Sequence, residues 1–193
     1  MLKSYFDANK TEAGCDEVGR GCLAGPVVAA AVILPKHFKH DFLTDSKKIC
    51  RSKRELLKTE IENVALAYGI GEVSTKEIDK INILSASFLA MQRAIDQLEI
   101  KPDLLLIDGN RYTPHNSVPY KCIVKGDSKF LSIAAASVLA KIYRDQLMRD
   151  LDKKYPHYGW YTNVGYPTIT HRQGIQRQGV TPHHRKTFQL LPK

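Results

Sequence analysis

The sequence has no run of about eighteen apolar residues, which is roughly the length that a helix needs to cross a bilayer. Its first ten residues, MLKSYFDANK, also lack the apolar centre of a secretory signal peptide. We therefore expect a chain that does not span a membrane and that is located in the cytoplasm.

Cysteine is scarce, and its spacing excludes the common cysteine-based sites. The four cysteines form no C-x-x-C pair and no zinc-ligand spacing: Cys15, Cys22, Cys50 and Cys122. Buried free thiols in a reducing compartment are the expectation.

A phosphate-binding P-loop is also absent, although Gly14 and Gly19 have its glycine spacing. The Lys and Ser/Thr that this loop requires are missing, because Arg20 and Gly21 stand in their places. Two acids inside the loop would repel phosphates unless a metal intervened. These residues exclude a P-loop NTPase.

Acidic residues are few relative to basic ones, which gives a net charge of +9 and a pI of about 9.4. Residues 151–193 hold seven Lys/Arg against one acid, a net charge of +6. This balance favours an anionic partner such as nucleic acid, while a basic protein with nothing bound to it is the alternative.

Hydrophobic patterns predict alternating strands and helices in a chain long enough for one domain. The expected strands are 12–18, 23–34, 64–74, 103–109 and 118–127, of which the second is broken by Gly25-Pro26. The expected helices are one containing Leu56, Leu57, Ile61 and Val64, a capped region over 75–98, and a long helix over 128–152 with a small-residue surface. Residues 155–193 differ in being aromatic, basic and rich in Gly and Pro.

Two adjacent carboxylates, Asp16 and Glu17, lie in the segment GCDEVGRG. Neighbouring side chains of a strand point to opposite faces, so at least one acid needs a cation, a proton or water. Glycines on both sides of Arg20 allow its backbone unusual angles or close approach to a ligand. A metal and polyanion site and a simple polar turn are both consistent with this segment.

Acids also end two later strands, at Asp108 and Asp127. Asp127 equally suits a helix N-cap, and Asp45 or Ser46 could cap the following helix. Carboxylates gathered at one sheet edge repel each other unless cations hold them, and oxygen ligands favour Mg²⁺ or Mn²⁺. Two such ions, roughly 3.5 to 4 Å apart, suit attack of water on a phosphodiester.

The chain resembles ribonuclease HII of the bacterial type over nearly its whole length. The matching motifs are CDEVGRG (15–21), DSKK (45–48), LLLIDGN (104–110), KGDSKFLSIAAASVLAKIYRD (125–145), GYPT (165–168) and HRKTF (184–188).

The resemblance implies that Asp16, Glu17, Asp108 and Asp127 bind two divalent ions, Mg²⁺ or Mn²⁺, and carry catalysis. It implies that Gly19, Arg20 and Gly21 bind the ribonucleotide through its 2′-OH and the adjoining phosphates. It also implies that Tyr166 packs on the sugar at the RNA–DNA junction and that Lys47 binds substrate. Cleavage would fall 5′ of the ribonucleotide and leave a 3′-hydroxyl and a 5′-phosphate.

The implied fold is an α/β fold: a ribonuclease H-like mixed five-stranded sheet flanked by helices, with a helical C-terminal extension. We expect residues 1–152 to form the catalytic core and residues 153–193 an extension packed on it, together one functional domain.

The expected substrates are RNA–DNA hybrids and ribonucleotide-containing duplex DNA, with roles in ribonucleotide and primer removal. We expect a monomer. The tail FQLLPK could bind a sliding clamp, but a frayed or docked terminus is the simpler interpretation.

Two other functions stay open at this point. One is a different nuclease or an integrase-like protein of the same fold. The other is a non-catalytic nucleic-acid-binding module that uses the basic tail. A pure binder has no use for four acids beside its phosphates, so it predicts a function that is insensitive to divalent ions.

Overall fold

The computed structural model describes residues 2–46 and 49–192, which form one five-stranded sheet and five α-helices. The strands are β1 (Glu12–Val18), β2 (Val27–Ile33), β3 (Ala67–Val73), β4 (Leu104–Asp108) and β5 (Tyr120–Ile123). The helices are α1 (Arg51–Val64), α2 (Thr75–Asp96), α3 (Leu131–Lys154), α4 (Trp160–Asn163) and α5 (Ile169–Gln178). A 3₁₀ turn at Gly126–Ser128 precedes α3.

The sheet has the strand order β3-β2-β1-β4-β5. The β1–β2 and β2–β3 pairs are antiparallel, whereas the β1–β4 and β4–β5 pairs are parallel. The predicted mixed five-stranded sheet with flanking helices is therefore confirmed.

Both faces of the sheet are covered, which explains why β2 is an uninterrupted apolar run. Val27, Ala29 and Ala31 pack in the same cluster as α2, while Val28 and Ala30 pack with α1 and α3 on the opposite face. All seven residues of β2 are buried.

Helix α3 lies unusually close to β1. A Cβ on Gly14 would come within 2.3 Å of the backbone carbon of Ser132, so only glycine fits at this position. The first turns of α3 consist mainly of small residues, including Ala134 and Ala135, which are fully buried. This contact fixes the start of α3 next to the strand that carries Asp16.

Several predicted boundaries are wrong. The second strand begins at Val27 rather than at residue 23, because Gly25 has a φ of +81° and Pro26 follows it. The fifth strand ends at Ile123 rather than 127, because Lys125 takes a left-handed conformation. Helix α2 is interrupted at Asn82, whose φ and ψ are 64° and 165°.

The C-terminal region contains α4 and α5, and its segments bond to the loop between β1 and β2. Leu23 N–H donates to the Gly165 carbonyl at 2.8 Å, and Arg185 N–H donates to the Leu23 carbonyl at 2.9 Å. Within the two described ranges, no helix has the length and apolar character required to span a membrane.

Candidate active site

The parallel pairing of β1 and β4 brings the first two acidic segments together. Cys15 lies opposite Ile107 in the register, and the next residue on each strand is an acid, Asp16 and Asp108. Parallel strands deliver their carboxyl ends to the same sheet edge, which is where open α/β sheets place ligands.

The third acidic segment is joined to this edge by a short hydrogen bond. The N–H of Gly126 donates to Asp108 Oδ1 at 2.6 Å. Asp127 follows in the 3₁₀ turn and is 9% exposed. Its interpretation as the N-cap of the long helix is wrong, since α3 begins at Leu131 with Phe130 at the N-cap.

Asp16 is the acid whose electrostatic environment is most perturbed. Burial raises its pKa well above the usual range, and the negative charges of Glu17, Asp108 and Asp127 raise it further. A hydrogen bond from Ser137 acts in the opposite direction. The other three carboxylates therefore all lie within electrostatic reach of Asp16.

Glu17 shares this environment but has a cationic neighbour. Burial raises its pKa, and the nearby charge of Asp108 contributes in the same direction, while Arg20 opposes both effects. Arg20 Nη1 lies 3.1 Å from Glu17 Oε1, and its own side chain is 51% exposed. Most of the Arg20 side chain is thus available to solvent or to a ligand.

Two serine hydroxyls form a hydrogen-bonded chain that ends at the Asp16 side chain. Ser137 hydrogen-bonds the Asp16 side chain, and its Oγ lies 2.8 Å from Ser46 Oγ. Because Ser137 has one hydroxyl proton and an ionised Asp16 only accepts, Ser46 is the donor to Ser137 in that state. Capping of α1 by Ser46 is therefore wrong, and α1 begins at Arg51 with Cys50 at its N-cap.

A cavity of about 570 Å³ opens beside Asp16 and Glu17. Its other charged or aromatic lining residues are Arg54, Lys141, Asp145, Arg149, Tyr161 and Tyr166. Three of them are cationic, and Asp145 lies 2.7 Å from Lys141 and 4.0 Å from Arg149. We call the part of the cavity at Asp16 and Glu17 its acidic end. We call Arg54, Lys141 and Arg149 the basic wall.

The segment Gly19–Gly21 forms a turn directly after β1. Gly19 has a φ of +93°, and a Cβ there would lie 2.2 Å from Arg144 Nε, so the turn requires glycine at this position. Gly21 differs, because a Cβ there would meet no described protein atom within 4 Å. Space around the Gly21 backbone is therefore open.

Tyr166 lines the same cavity as Asp16 and Glu17. Its backbone N–H donates to the Asn163 carbonyl at 2.9 Å, and its carbonyl lies 2.9 Å from His171 Nδ1. Its ring lies 6.0 Å from Lys141 Nζ, at the outer limit of a cation–π contact. The partly buried ring also packs against the apolar cluster of the C-terminal region.

A buried pair of histidines holds this tyrosine loop. Trp160 Nε1–H donates to His171 Nε2 at 3.0 Å, so His171 Nε2 is an acceptor and Nδ1 carries the hydrogen that reaches the Tyr166 carbonyl. His184 Nδ1 accepts from Thr181 N–H, which leaves its Nε2–H facing His171 Nε2 at 3.1 Å. Both rings are therefore neutral in this network.

Two buried arginines connect the loops around the site, and the sequence motifs alone did not indicate them. Arg144 donates to the carbonyls of Ala24, Pro26 and Val164 at 2.7–3.0 Å. Arg185 donates to the carbonyls of Gly19, Arg20 and Gly25 at 2.6–3.1 Å. Both side chains are 0% exposed. Both lie within matching motifs, Arg144 in the one over 125–145 and Arg185 in HRKTF, but neither motif revealed the carbonyl contacts.

The donor set at the acidic end consists of carboxylate oxygens, which suit a hard divalent cation. In the part of the chain that the structure describes, no three His, Cys, Asp or Glu side chains are already grouped as a metal-binding cluster. Lys47 lies outside the described residues, so its predicted contact with substrate stays a prediction.

The Ribonuclease HII family model matches residues 13–191 of the chain. A ribonuclease HII from Parabacteroides distasonis is 58% identical over 193 residues, covering 100% of this chain and 97% of that protein.

Two solved structures are similar in fold. The crystal structure of ribonuclease H2 from Pyrococcus horikoshii has a TM-score of 0.77 and 26% identity, covering 93% of this chain and 94% of that one. The RNase HII in the PCNA:RNase HII complex from Archaeoglobus fulgidus has a TM-score of 0.77 and 25% identity, with coverage of 95% and 97%.

Proposed function

The chain belongs to the ribonuclease HII family, and we propose that it uses two divalent ions to cut RNA–DNA hybrids and duplex DNA at embedded ribonucleotides. As a family member it is an endonuclease, a hydrolase of the ribonuclease H type that acts on RNA–DNA hybrids. Cleavage 5′ of the ribonucleotide, leaving a 3′-hydroxyl and a 5′-phosphate, is part of the proposal.

The observation that carries this proposal is the convergence of three acidic segments at one sheet edge: β1 with Asp16 and Glu17, the adjacent parallel strand β4 with Asp108, and the turn with Asp127 that is hydrogen-bonded to Asp108. The charges of Glu17, Asp108 and Asp127 all raise the pKa of Asp16, after burial itself. A site of this kind gains free energy when cations offset the repulsion, and its oxygen donors fit Mg²⁺ or Mn²⁺. Two bound ions would supply an activated water and charge stabilisation at the phosphodiester.

The protein's own residues have separable tasks in this proposal. The four acids hold the ions, and the hydroxyls of Ser46 and Ser137 orient Asp16. The basic wall receives backbone phosphates, since its cations line the same cavity as the acids.

Recognition of the ribonucleotide is assigned to the two loops across the cavity. Gly19, Arg20 and Gly21 offer exposed backbone and a partly free guanidinium next to Glu17. Tyr166 offers an aromatic face for the sugar at the junction. Lys47 is proposed as a further contact with the substrate strand.

A sliding clamp is a less well supported partner. The Archaeoglobus fulgidus RNase HII was solved in a complex with PCNA, and the tail FQLLPK is the segment of this chain that would bind a clamp. Here, however, Phe188 lies 5.1 Å from the Arg185 guanidinium and packs against the core, while Arg172 donates to the Leu190 carbonyl. A clamp would have to displace these contacts, which favours a docked terminus.

The proposal also includes the domain organisation and the location. The protein is a monomer with a catalytic core at 1–152 and an extension at 153–193, and it is located in the cytoplasm.

The test is cleavage of a labelled DNA duplex that contains one ribonucleotide, with Mg²⁺, Mn²⁺ or a chelator. We expect a single cut 5′ of the ribonucleotide with either ion and no cut with the chelator, and an all-DNA duplex should stay intact. Binding of the duplex that is unaffected by divalent ions, without any cleavage, would instead identify a non-catalytic binding module.

A further inference from the structure

Arg185 is a buried cation that hydrogen-bonds to main-chain carbonyls. Its Nη2 donates to the Gly19 carbonyl at 2.6 Å and its Nη1 to the Arg20 carbonyl at 2.8 Å. Its Nε and Nη2 also contact the Gly25 carbonyl at 3.1 and 3.0 Å. No carboxylate within the described ranges forms an ion pair with it.

These contacts determine where the neighbouring N–H groups point. In a trans peptide the carbonyl oxygen and the following N–H lie on opposite sides of the peptide plane. Because the Gly19 and Arg20 carbonyls face Arg185 in the interior, the N–H groups of Arg20 and Gly21 face away from it. The loop therefore presents two consecutive N–H groups outward.

The outward side of this loop is open. A Cβ on Gly21 would meet no described atom within 4 Å, although the other glycine of the turn, Gly19, is tightly enclosed. Protein packing thus gives no reason for glycine at position 21, whereas close approach of a ligand to the backbone gives one.

We propose that Arg185 is a positioning residue, which turns the N–H groups of Arg20 and Gly21 toward a phosphate or sugar hydroxyl of the substrate. The inference rests on the proposed function, because it takes the Gly19–Gly21 loop as the ribonucleotide-binding loop. Burial lowers the pKa of Arg185 to about 10, so the guanidinium stays cationic at neutral pH and its charge also favours an anion at the loop.

The test compares Arg185→Lys with Arg144→Lys. Both arginines are fully buried and each holds three carbonyls, but those of Arg144 belong to Ala24, Pro26 and Val164. Arg144 packs on Gly19 without bonding a carbonyl of the Gly19–Gly21 turn, so the comparison isolates the carbonyl bonds. We expect both variants to lose stability. Only Arg185→Lys should raise the KM for a duplex with one ribonucleotide by about tenfold beyond the control while kcat changes little, since binding contacts made in the ground state are lost. The Arg20 and Gly21 amide resonances should shift in the same variant.

Equal KM values in the two variants at matched distance below their melting temperatures would make Arg185 a purely structural residue. If Arg185→Lys does not fold, hydrogen exchange on the wild-type protein decides. The Arg20 and Gly21 N–H groups should exchange rapidly in the free protein, and strong protection there would mean that they point inward, contrary to the proposal. Failure of the wild-type protein to cut the duplex would refute the proposed function instead.

Discussion

Asp108 Oδ1 accepts a 2.6 Å hydrogen bond from the N–H of Gly126, which joins the carboxyl end of β4 to the turn that carries Asp127. One oxygen of Asp108 is thereby oriented by the backbone. The orientation of the Asp108 side chain thus depends on an oxygen that accepts this hydrogen bond, and the side-chain amide of an asparagine also has such an oxygen.

Asp108→Asn should keep the fold and abolish cleavage. The amide oxygen of Asn can still accept from Gly126, but an amide is a weaker metal ligand than a carboxylate. Removing one of the charges that raise the pKa of Asp16 also lowers repulsion, so the melting temperature without metal should stay equal or rise. Cleavage of the ribonucleotide duplex in Mg²⁺ and a melting curve measure the two effects.

Asp103→Asn is the matched control, because Asp103 directly precedes the same strand at its other end and accepts from Thr11 N–H. It should cleave at the wild-type rate. Near wild-type turnover by Asp108→Asn would remove Asp108 from the metal site.

The basic wall should account for part of the salt dependence of binding. Arg54→Gln removes a cation that lines the cavity, so the slope of log affinity against log salt should become less steep by about 0.9 if one phosphate contact is lost. Lys58→Gln is the control, since Lys58 pairs with Glu62 at 3.0 Å and lies outside both this cavity and the basic tail. Equal slopes in both variants would mean that the phosphate contacts are not made by the basic wall. The basic tail, residues 151–193, would then be the next candidate.

Tyr166→Ala should lower activity most on a duplex with one embedded ribonucleotide and less on a continuous RNA–DNA hybrid. The junction between ribose and deoxyribose is unique to the first substrate, and an aromatic ring suits contact with the sugar. The backbone of this loop is held by Asn163 and His171, so the melting temperature should change little. Rates on both substrates and a melting curve provide the measurement.

Tyr161→Ala serves as the control, because Tyr161 lines the same cavity and is 56% exposed. It should affect the two substrates equally. Equal losses for Tyr166→Ala, with a clear drop in melting temperature, would identify Tyr166 as a packing residue.

The buried histidines should make stability depend on pH. Burial lowers the pKa of His184 to about 4, and the nearby charges of His171 and His183 contribute. Between about pH 6.5 and pH 4, His184 is therefore protonated in the unfolded chain but neutral in the folded protein. This contribution is fully present above about pH 6.5 and is lost as the pH falls toward 4, by at most about 3 kcal/mol.

Urea unfolding at pH 7 and pH 4.5 tests this sign. Wild-type protein should lose more stability over that interval than His184→Gln, whose amide does not titrate but can still accept and donate. Asp16 has a raised pKa, so it contributes in the opposite direction, but it is present in both proteins and cancels in the comparison. An identical loss in both would exclude His184 as the titrating group.

Much of the sheet could be predicted from the sequence because its three central strands are buried almost throughout, and β2 and β4 read as apolar runs. The strand 103–109 differs little from the observed Leu104–Asp108. Errors fell where backbone conformation overrides hydrophobicity, as at Gly25 and Lys125 with their positive φ angles. Such angles leave little trace in an apolar pattern.

Prediction of the site was uneven for a physical reason. Acids at the ends of strands are visible in sequence, because a charge after an apolar run is unusual. Arg144 and Arg185 are not, since a buried guanidinium that binds carbonyls needs no partner of recognisable type or spacing. The neutral pair His171 and His184 is equally hidden, because its tautomers are determined by contacts with residues on other segments.

The contact between Arg185 and Gly19 joins residues 166 positions apart in the chain. During synthesis, all four acids and the whole sheet leave the ribosome before the guanidinium that holds the carbonyls of the turn. Non-local contacts of this separation form late, because a long loop must first close. In a nascent chain the four acids can thus come together before the Gly19–Gly21 loop takes its final conformation. A chain that is truncated before residue 185 would lack the contacts that hold this loop.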